Sequence, residues 1–331
     1  MISTKQLFFG IFLLFIAGTS LQAQSDTSYY KSYTHLITAR AFLSQKYTAL
    51  TLKNEKIPYN ITYLPNSKFN FGIGASYKWA TFNLATGIGY LDPDDGKGKT
   101  KYIDLQFHKY GQKVVYDFVA QFYTGFYLFP KGTATSSRAS YYSRPDLKVT
   151  VFGGTAQYVF NNKRFSFQST YLQTEWQKKS AGSFLAGIET YSGRMRADSA
   201  LVPSSVEKAN AELSIDFFEA GINFGYAYTL VIHKHFFVTA SAAGSLDYST
   251  TTMKNADGNT IATNVSPNTF FRFVTGYNRE KWAFHIIYIN NGVRIGDGVR
   301  EAALNTGNLR LSYARRFALG SKERKALKII N

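Results

Sequence analysis

The sequence predicts an all-β fold, a closed antiparallel up-and-down transmembrane β-barrel, and three observations predict it. Apolar residues alternate with small or polar ones at a period of two along most of residues 36–317. The connections between alternating runs are short and long by turns, and aromatics gather at the run ends beside the short ones. No long segment has a helical period. The 331 residues include no cysteine, which removes disulfides, thiolate metal sites and an acylated N-terminal cysteine. Charged residues are only 18% of the chain, and a mean hydropathy of -0.20 excludes a polytopic helical membrane protein.

Taken in order, Met1–Ala23 reads as a signal peptide, with Lys5 ahead of an apolar core and the small-residue exit of Gly18 to Ala23. The apolar run Leu7–Ala17 is too short for the roughly 20 residues of a membrane-spanning helix. Residues 24–35 follow as a short periplasmic segment, and 36–317 form the barrel. The clearest hairpin has Phe69, Phe71, Ile73, Ala75 and Tyr77 on one face, a turn near Ala80-Thr81, then Phe82, Leu84, Thr86 and Ile88. Similar runs cover 116–128 and 219–230. Weaker ones cover 36–52, 102–110, 147–160, 165–177, 182–191, 236–248, 268–277, 282–290 and 306–317. Several run 11 to 15 residues, which suits tilted spans better than soluble strands.

Short connections are expected near Ala80-Thr81, Gly111–Lys113, Asn161–Lys163, Ile232–His235 and Asn278–Lys281, on the periplasmic side. Long outer loops are expected at 53–68, 92–101, 129–146, 249–267 and 292–305. All seven prolines fall outside the expected strands, as a barrel without edges requires. The candidate aromatic girdle is Trp79, Phe82, Tyr158, Phe165, Tyr228, Phe236, Tyr277 and Trp282. Thirteen runs need an even partner. A turn at Ser192-Gly193 would make Arg194–Val202 an extra strand and give 14 strands; the alternative is 12. Residues 318–331 form a basic C-terminal tail.

Five stretches carry a family resemblance: Tyr63-Leu64-Pro65-Asn66 before Phe71–Trp79, Phe160–Ser166, Gln177–Phe184, and Gly225-Tyr226-Ala227-Tyr228. On these residues the chain resembles an uncharacterised family of outer-membrane β-barrels from Bacteroidota, a domain of unknown function. The resemblance covers most of the mature chain and implies a fold and a location in the bacterial cell outer membrane. It carries over no functional residue.

Inward positions supply the candidate lumen polar network: Asp117, Gln121, Glu189, Glu219, Asn223 and His285. His285 faces inward and is the histidine expected to pair with Asp117, Glu189 or Glu219, but no serine-containing motif accompanies it. His233 and His235 sit in a turn without a nearby carboxylate. No catalytic residue, metal site or cofactor is therefore assigned. Inward glycines such as Gly72, Gly125, Gly187 and Gly221 fit either an open lumen or strand curvature.

The net charge of +17 matches anionic headgroups: outer-membrane lipids and lipopolysaccharide are the expected partners, and export excludes nucleic acid. Lys113, Lys163, Arg164, Lys234, Arg279 and Lys281 are expected at the periplasmic rim. Arg138, Arg144, Lys148, Lys178, Lys179, Arg294 and Arg300 are expected at the outer one. Barrel-assembly machinery is the expected partner during biogenesis; a periplasmic or surface protein partner is left open. The expected function is a narrow, porin-like channel or conduit, or a structural barrel. The alternatives are a lipid-modifying enzyme using His285 with inward acids, and a non-transporting partner in a secretion or surface-assembly complex.

Overall fold

Long alternating runs wind into one sheet that meets its own first strand. The computed structural model describes residues 26–318 apart from 57–58, 79, 89–95, 208–211 and 256–257. The expected signal peptide, nearly all of the basic tail, and Trp79 lie outside the described residues. The chain runs β1 (Tyr30–Ser32), β2 (Ile37–Asn54), β3 (Tyr59–Leu64), β4 (Asn70–Tyr77), β5 (Ala80–Gly87), β6 (Lys101–Tyr110), β7 (Val114–Phe129) and β8 (Ser143–Val159). A short helix, α1 (Phe167–Tyr171), leads into β9 (Glu175–Gln177), β10 (Ala181–Arg196), β11 (Ser214–Ile232) and β12 (Phe236–Asn255). The last elements are β13 (Gly258–Ser266), β14 (Thr269–Asn278), β15 (Trp282–Gly296) and β16 (Arg300–Phe317).

An antiparallel ladder from Ile37↔Phe317 to Asn54↔Arg300 joins β2 to β16 and closes the barrel. Ten strands form the closed ring: β2, β3, β7, β8, β10, β11, β12, β14, β15 and β16. Four more, β4, β5, β6 and β13, pair onto it. The large sheet thus has fourteen strand elements, but they are not fourteen traverses. Pro65 and Pro267 each interrupt one descending strand, giving β3 then β4 and β13 then β14, because proline cannot donate to a ladder.

Two ends follow from the connections. The connection between β4 and β5 and the tight turns at 111–113, 233–235 and 279–281 lie at one end, with both termini of the barrel; the connections from β5 to β6, β7 to β8 and β10 to β11 lie at the other. Several expectations need correction. Ser192-Gly193 is no turn: β10 runs through it, paired on both sides to β8 and β11. Residues 165–177 are no strand, and Asn161–Lys163 is no tight hairpin. The chain there turns into α1 and β9, and β9 pairs with β1. Ser166 caps α1 by accepting from the Ser169 N–H at 3.0 Å, so its serine stops the extended run. Lys178 and Lys179 therefore sit at the turn end, bonded to the Tyr29 carbonyl, not at the outer rim. The loops expected at 249–267 and 292–305 are largely strand, since β12, β13, β15 and β16 all reach past them. Pro145 lies inside β8, opposite the irregularity at Thr124/Phe126, where a bulge tolerates it.

Burial divides the barrel into layers. At the loop end the interior is apolar: Leu50, Leu147, Val149, Met195, Ile215, Phe217, Met253 and Ile295 are all buried, with Leu201 and Val202 folded in from the segment after β10. Register holds these at one height, through Val149↔Met195, Met195↔Ile215 and Ile215↔Met253. Nearer the turn end the same inward faces carry Arg40, Asp117, Gln157, Glu189, Glu219, Asn223, Asp247 and Arg272, all buried. Their outward neighbours are exposed apolar residues, among them Phe184, Ile222, Phe224, Leu246 and Phe273. The turn end is filled again by Tyr110, Val115, Phe165, Phe167, Tyr171 and Phe237.

Candidate functional site

The wall is incomplete at one place. Between β2 and β7 the ring is closed at the loop end by β3, which pairs with β2 through Leu50↔Tyr63 and with β7 through Tyr63↔Leu128. Below that point β4–β5 hangs from β2 and β6 hangs from β7. Among the described residues, β5 has no ladder partner but β4, and β6 none but β7. The switch is at Gly125. Its φ of +90° suits glycine, and a Cβ there would come within 2.3 Å of the Lys99 carbonyl oxygen. Thr100 Oγ1 donates to the Gly125 carbonyl at 2.7 Å and accepts from Asn66 N–H, so the break in the β3–β4 strand and the start of β6 are tied together above the seam.

A crevice of about 650 Å³ runs through the wall along β6. Its inner lining includes Ser44, Lys46, Asp104, His108 and Arg310; outward Leu84, Leu105 and Phe107 line its other side. A second cavity of about 290 Å³ lies beneath, shared by Arg40, Asn83, His108, Tyr171 and Arg310. The acids here are already engaged. Asp104 accepts from Lys46 Nζ at 3.1 Å, Gln121 at 3.1 Å and the Tyr123 hydroxyl at 2.9 Å. Asp117 lies 2.5 Å from both Arg272 Nη2 and His108 Nδ1. Arg40 donates to Ser76 Oγ at 2.6 Å and to the Leu172 carbonyl at 2.8 Å, holding the end of α1 against β2. Arg310 has no hydrogen-bond or ion-pair partner among the described residues. Its guanidinium lies 4.5 Å from the centre of the Phe42 ring.

Beyond β8 the sign reverses. Glu189 on β10, Glu219 on β11 and Asp247 on β12 converge on the side-chain amide of Asn268, at 3.4, 2.7 and 3.1 Å. Asn223 links Glu189 (2.8 Å) to Gln157 (3.0 Å), and Ser245 donates to Asp247. A carboxylate group so deep in the barrel is held by neutral amides and hydroxyls. No cluster of His, Cys, Asp or Glu among the described residues has the arrangement of a metal site.

The predicted lumen residues all face inward, but not as one network. Asp117 and Gln121 belong to the β6–β7 side; Glu189, Glu219 and Asn223 belong to the opposite wall. His285 pairs with none of them: it is buried with Nδ1 unpartnered, because register sets it on β15 beside Ser312 of β16 and away from the acids. Of the girdle, Phe82, Tyr158, Tyr228, Phe236 and Trp282 are exposed. Tyr277 stacks on Trp282 with ring centres 5.3 Å apart and meets Phe236 edge-on at 4.6 Å. Phe165 is the exception. It is 1% exposed inside the turn-end plug, since its segment leaves the wall to form α1. The inward glycines support packing: a Cβ on Gly72 would meet the Phe42 ring at 2.1 Å, and one on Gly153 the Tyr191 ring at 2.2 Å.

Sequence reasoning passed over Lys46, Asp104, His108, Arg272, Arg310 and Asn268. A signal existed for half of them: Asp104, Arg272 and Arg310 each stand between two apolar residues of an alternating run, which assigns the charge to the inner face. What paired with what depended on register, which alternation does not give.

Similarity to solved structures is low. The outer-membrane protease OmpT from Escherichia coli aligns over 87% of this chain and 98% of its own, with 8% identity and a TM-score of 0.38. The translocator domain of the autotransporter NalP from Neisseria meningitidis covers 95% and 96%, with 7% identity and a TM-score of 0.36. The P. putida toluene transporter TodX covers 86% and 91%, with 8% identity and a TM-score of 0.24. These resemblances carry no argument about what this chain does. No curated protein matches the sequence significantly. A family model does match, over residues 24–317, and the chain belongs to that family, described as Domain of unknown function (DUF4421).

Proposed function

We propose that this member of the DUF4421 family is an integral outer-membrane β-barrel that admits a membrane-borne small molecule through its wall and passes no solute along its axis. Membrane embedding is supported by the inverted polarity of the turn-end half, with acids and arginines inside and Phe, Leu and Ile outside. The observation that carries the functional reading is the β5–β6 seam with its crevice, because a buried sheet edge is tolerated only where it lines a cavity. Apolar side chains fill both ends of the lumen, which speaks against the porin-like channel expected from sequence. Two measurements test this. Planar bilayers holding the folded protein stay free of single-channel steps. An apolar carbene probe dissolved in the bilayer labels inward Ser44 and Gln106 as well as outward Leu105. Conductance steps, or labelling confined to outward residues, would overturn the reading.

A second reading, an enzyme acting on the admitted molecule, is favoured by one observation. Asp117 holds His108 by Nδ1 at the crevice, the arrangement that orients an imidazole for proton transfer through its other nitrogen. This transfers the expected histidine role from His285 to His108. Acyl-ester cleavage by the reconstituted protein that disappears in His108→Ala supports it; no turnover of lysophospholipid or phospholipid substrates removes it.

A further inference from the structure

Arg310 is the group the fold leaves unanswered. It projects inward from β16 between outward Leu309 and Leu311, lines both cavities at the seam, and touches no acceptor among the described residues. A half-buried guanidinium whose Nε is sealed without an acceptor is costly, and the carboxylates Asp104 and Asp117 are spoken for. Asp104 is saturated by Lys46, Gln121 and Tyr123; Asp117 is clamped between Arg272 and His108. Another cation, Arg40, shares the lower cavity with it and is committed to Ser76, Asn83 and Leu172. Asn308 Oδ1 and the Ser312 hydroxyl, on the same face of β16, are also buried without partners. This side of the barrel is therefore a positively charged, partly unsatisfied pocket.

The route to it is greasy. Both ends of the lumen are packed with apolar side chains, while the crevice opens along β6 past Leu84, Leu105 and Phe107. A ligand that reaches Arg310 this way needs an apolar body and an anionic head. Resting on the wall-access reading above, we propose that the seam binds a single-chain anionic amphiphile, its carboxylate or phosphate head on Arg310 and its chain lying between β5 and β6 in the crevice. A cavity of about 650 Å³ falls in the range of small-molecule sites. In so sheltered a place a charge-assisted hydrogen bond from a planar guanidinium is stronger than at a surface.

The test is fluorescence titration of dansyl-undecanoic acid into the protein in phosphatidylethanolamine nanodiscs, with lauryl-chain competitors. Lauric acid or lauryl phosphate displaces the probe, and the better of the two identifies the head; lauryl alcohol and lauryl trimethylammonium do not. Arg310→Gln weakens binding by about tenfold or more, the loss of one such bond, and Arg310→Lys recovers part of it. Because the chain has no cysteine, Ala85→Cys with Gln106→Cys can be joined across the seam by a flexible bis-maleimide, which blocks binding in an otherwise unaltered lumen. Should Arg310→Gln fail to fold, Arg310→Lys and the cross-linked pair decide. Unchanged affinity in a folded Arg310→Gln, equal displacement by lauryl alcohol, or undiminished binding after cross-linking overturns the proposal. Inward carbene labelling without any anion preference leaves wall access standing and sinks only the head-group assignment.

Discussion

The same strands obey opposite rules at their two ends. On β11, Ile215 and Phe217 point inward near the loops, whereas Glu219 and Asn223 point inward nearer the turns, with Ile222, Phe224 and Tyr226 outside. On β10 the change falls between Met195 and Glu189, and on β2 between Leu50 and Arg40. Outside the loop-end half lie ion pairs, Arg194 and Lys254 with Asp216 and Lys53 with Glu301. One half thus buries its apolar residues, as proteins do in water, and the other exposes them. On the membrane reading proposed above, the crossing of the two rules marks where the bilayer ends. An apolar core seals the loop end, while charged and hydrogen-bonding side chains fill the middle.

Mutations on matched faces break or sharpen this contrast. The largest effect is expected for Met195→Ala, which opens a cavity in the loop-end core and costs about 2–5 kcal/mol, measured by unfolding in lipid vesicles. Phe224→Arg, outward in the turn-end half, costs about 2–4 kcal/mol if that half faces lipid; Thr252→Arg, outward on the loop-end half, stays within about 0.5 kcal/mol. Equal costs for the last two would erase the boundary. Asn268→Leu removes the amide shared by Glu189, Glu219 and Asp247 and costs about 1–3 kcal/mol, read in the same assay.

The smallest effect is electrostatic and lies at the loop end. Burial pushes the Asp297 carboxyl up, but the Arg300 backbone N–H and guanidinium outweigh it and hold the group below its usual range. A depressed pKa stabilises above the unfolded value of about 4, and the gain is lost as the pH falls through the folded value. The protection factors of the Val299 and Arg300 amides, exchange rates relative to the intrinsic rate at each pH, should therefore fall only in acid; a fall near neutral pH would contradict the clamp.

Much of the barrel was legible because alternation encodes faces directly. Which face a residue takes was readable for Glu189, Glu219 and Asn223 from their neighbours alone. The extent of the strands was not: β12, β15 and β16 run on beyond the region with apolar residues outside, where polar stretches such as Ser249–Thr252 read as loops. The plug misled for the converse reason, since Phe165–Gln177 alternates enough to pass for a strand while Ser166 caps a helix. Neither the seam nor the solitary Arg310 was visible, because both are facts about missing partners, and a sequence pattern does not report partners.

The central claim is that the outward residues of the turn-end half face lipid. Nitroxide labels at Ile222→Cys and Thr252→Cys, in a chain otherwise without cysteine, test it most directly. At Ile222 collisions with dissolved oxygen should dominate, and at Thr252 collisions with a water-soluble nickel chelate. Free access of the chelate to both positions in a membrane-reconstituted, folded barrel would contradict the account.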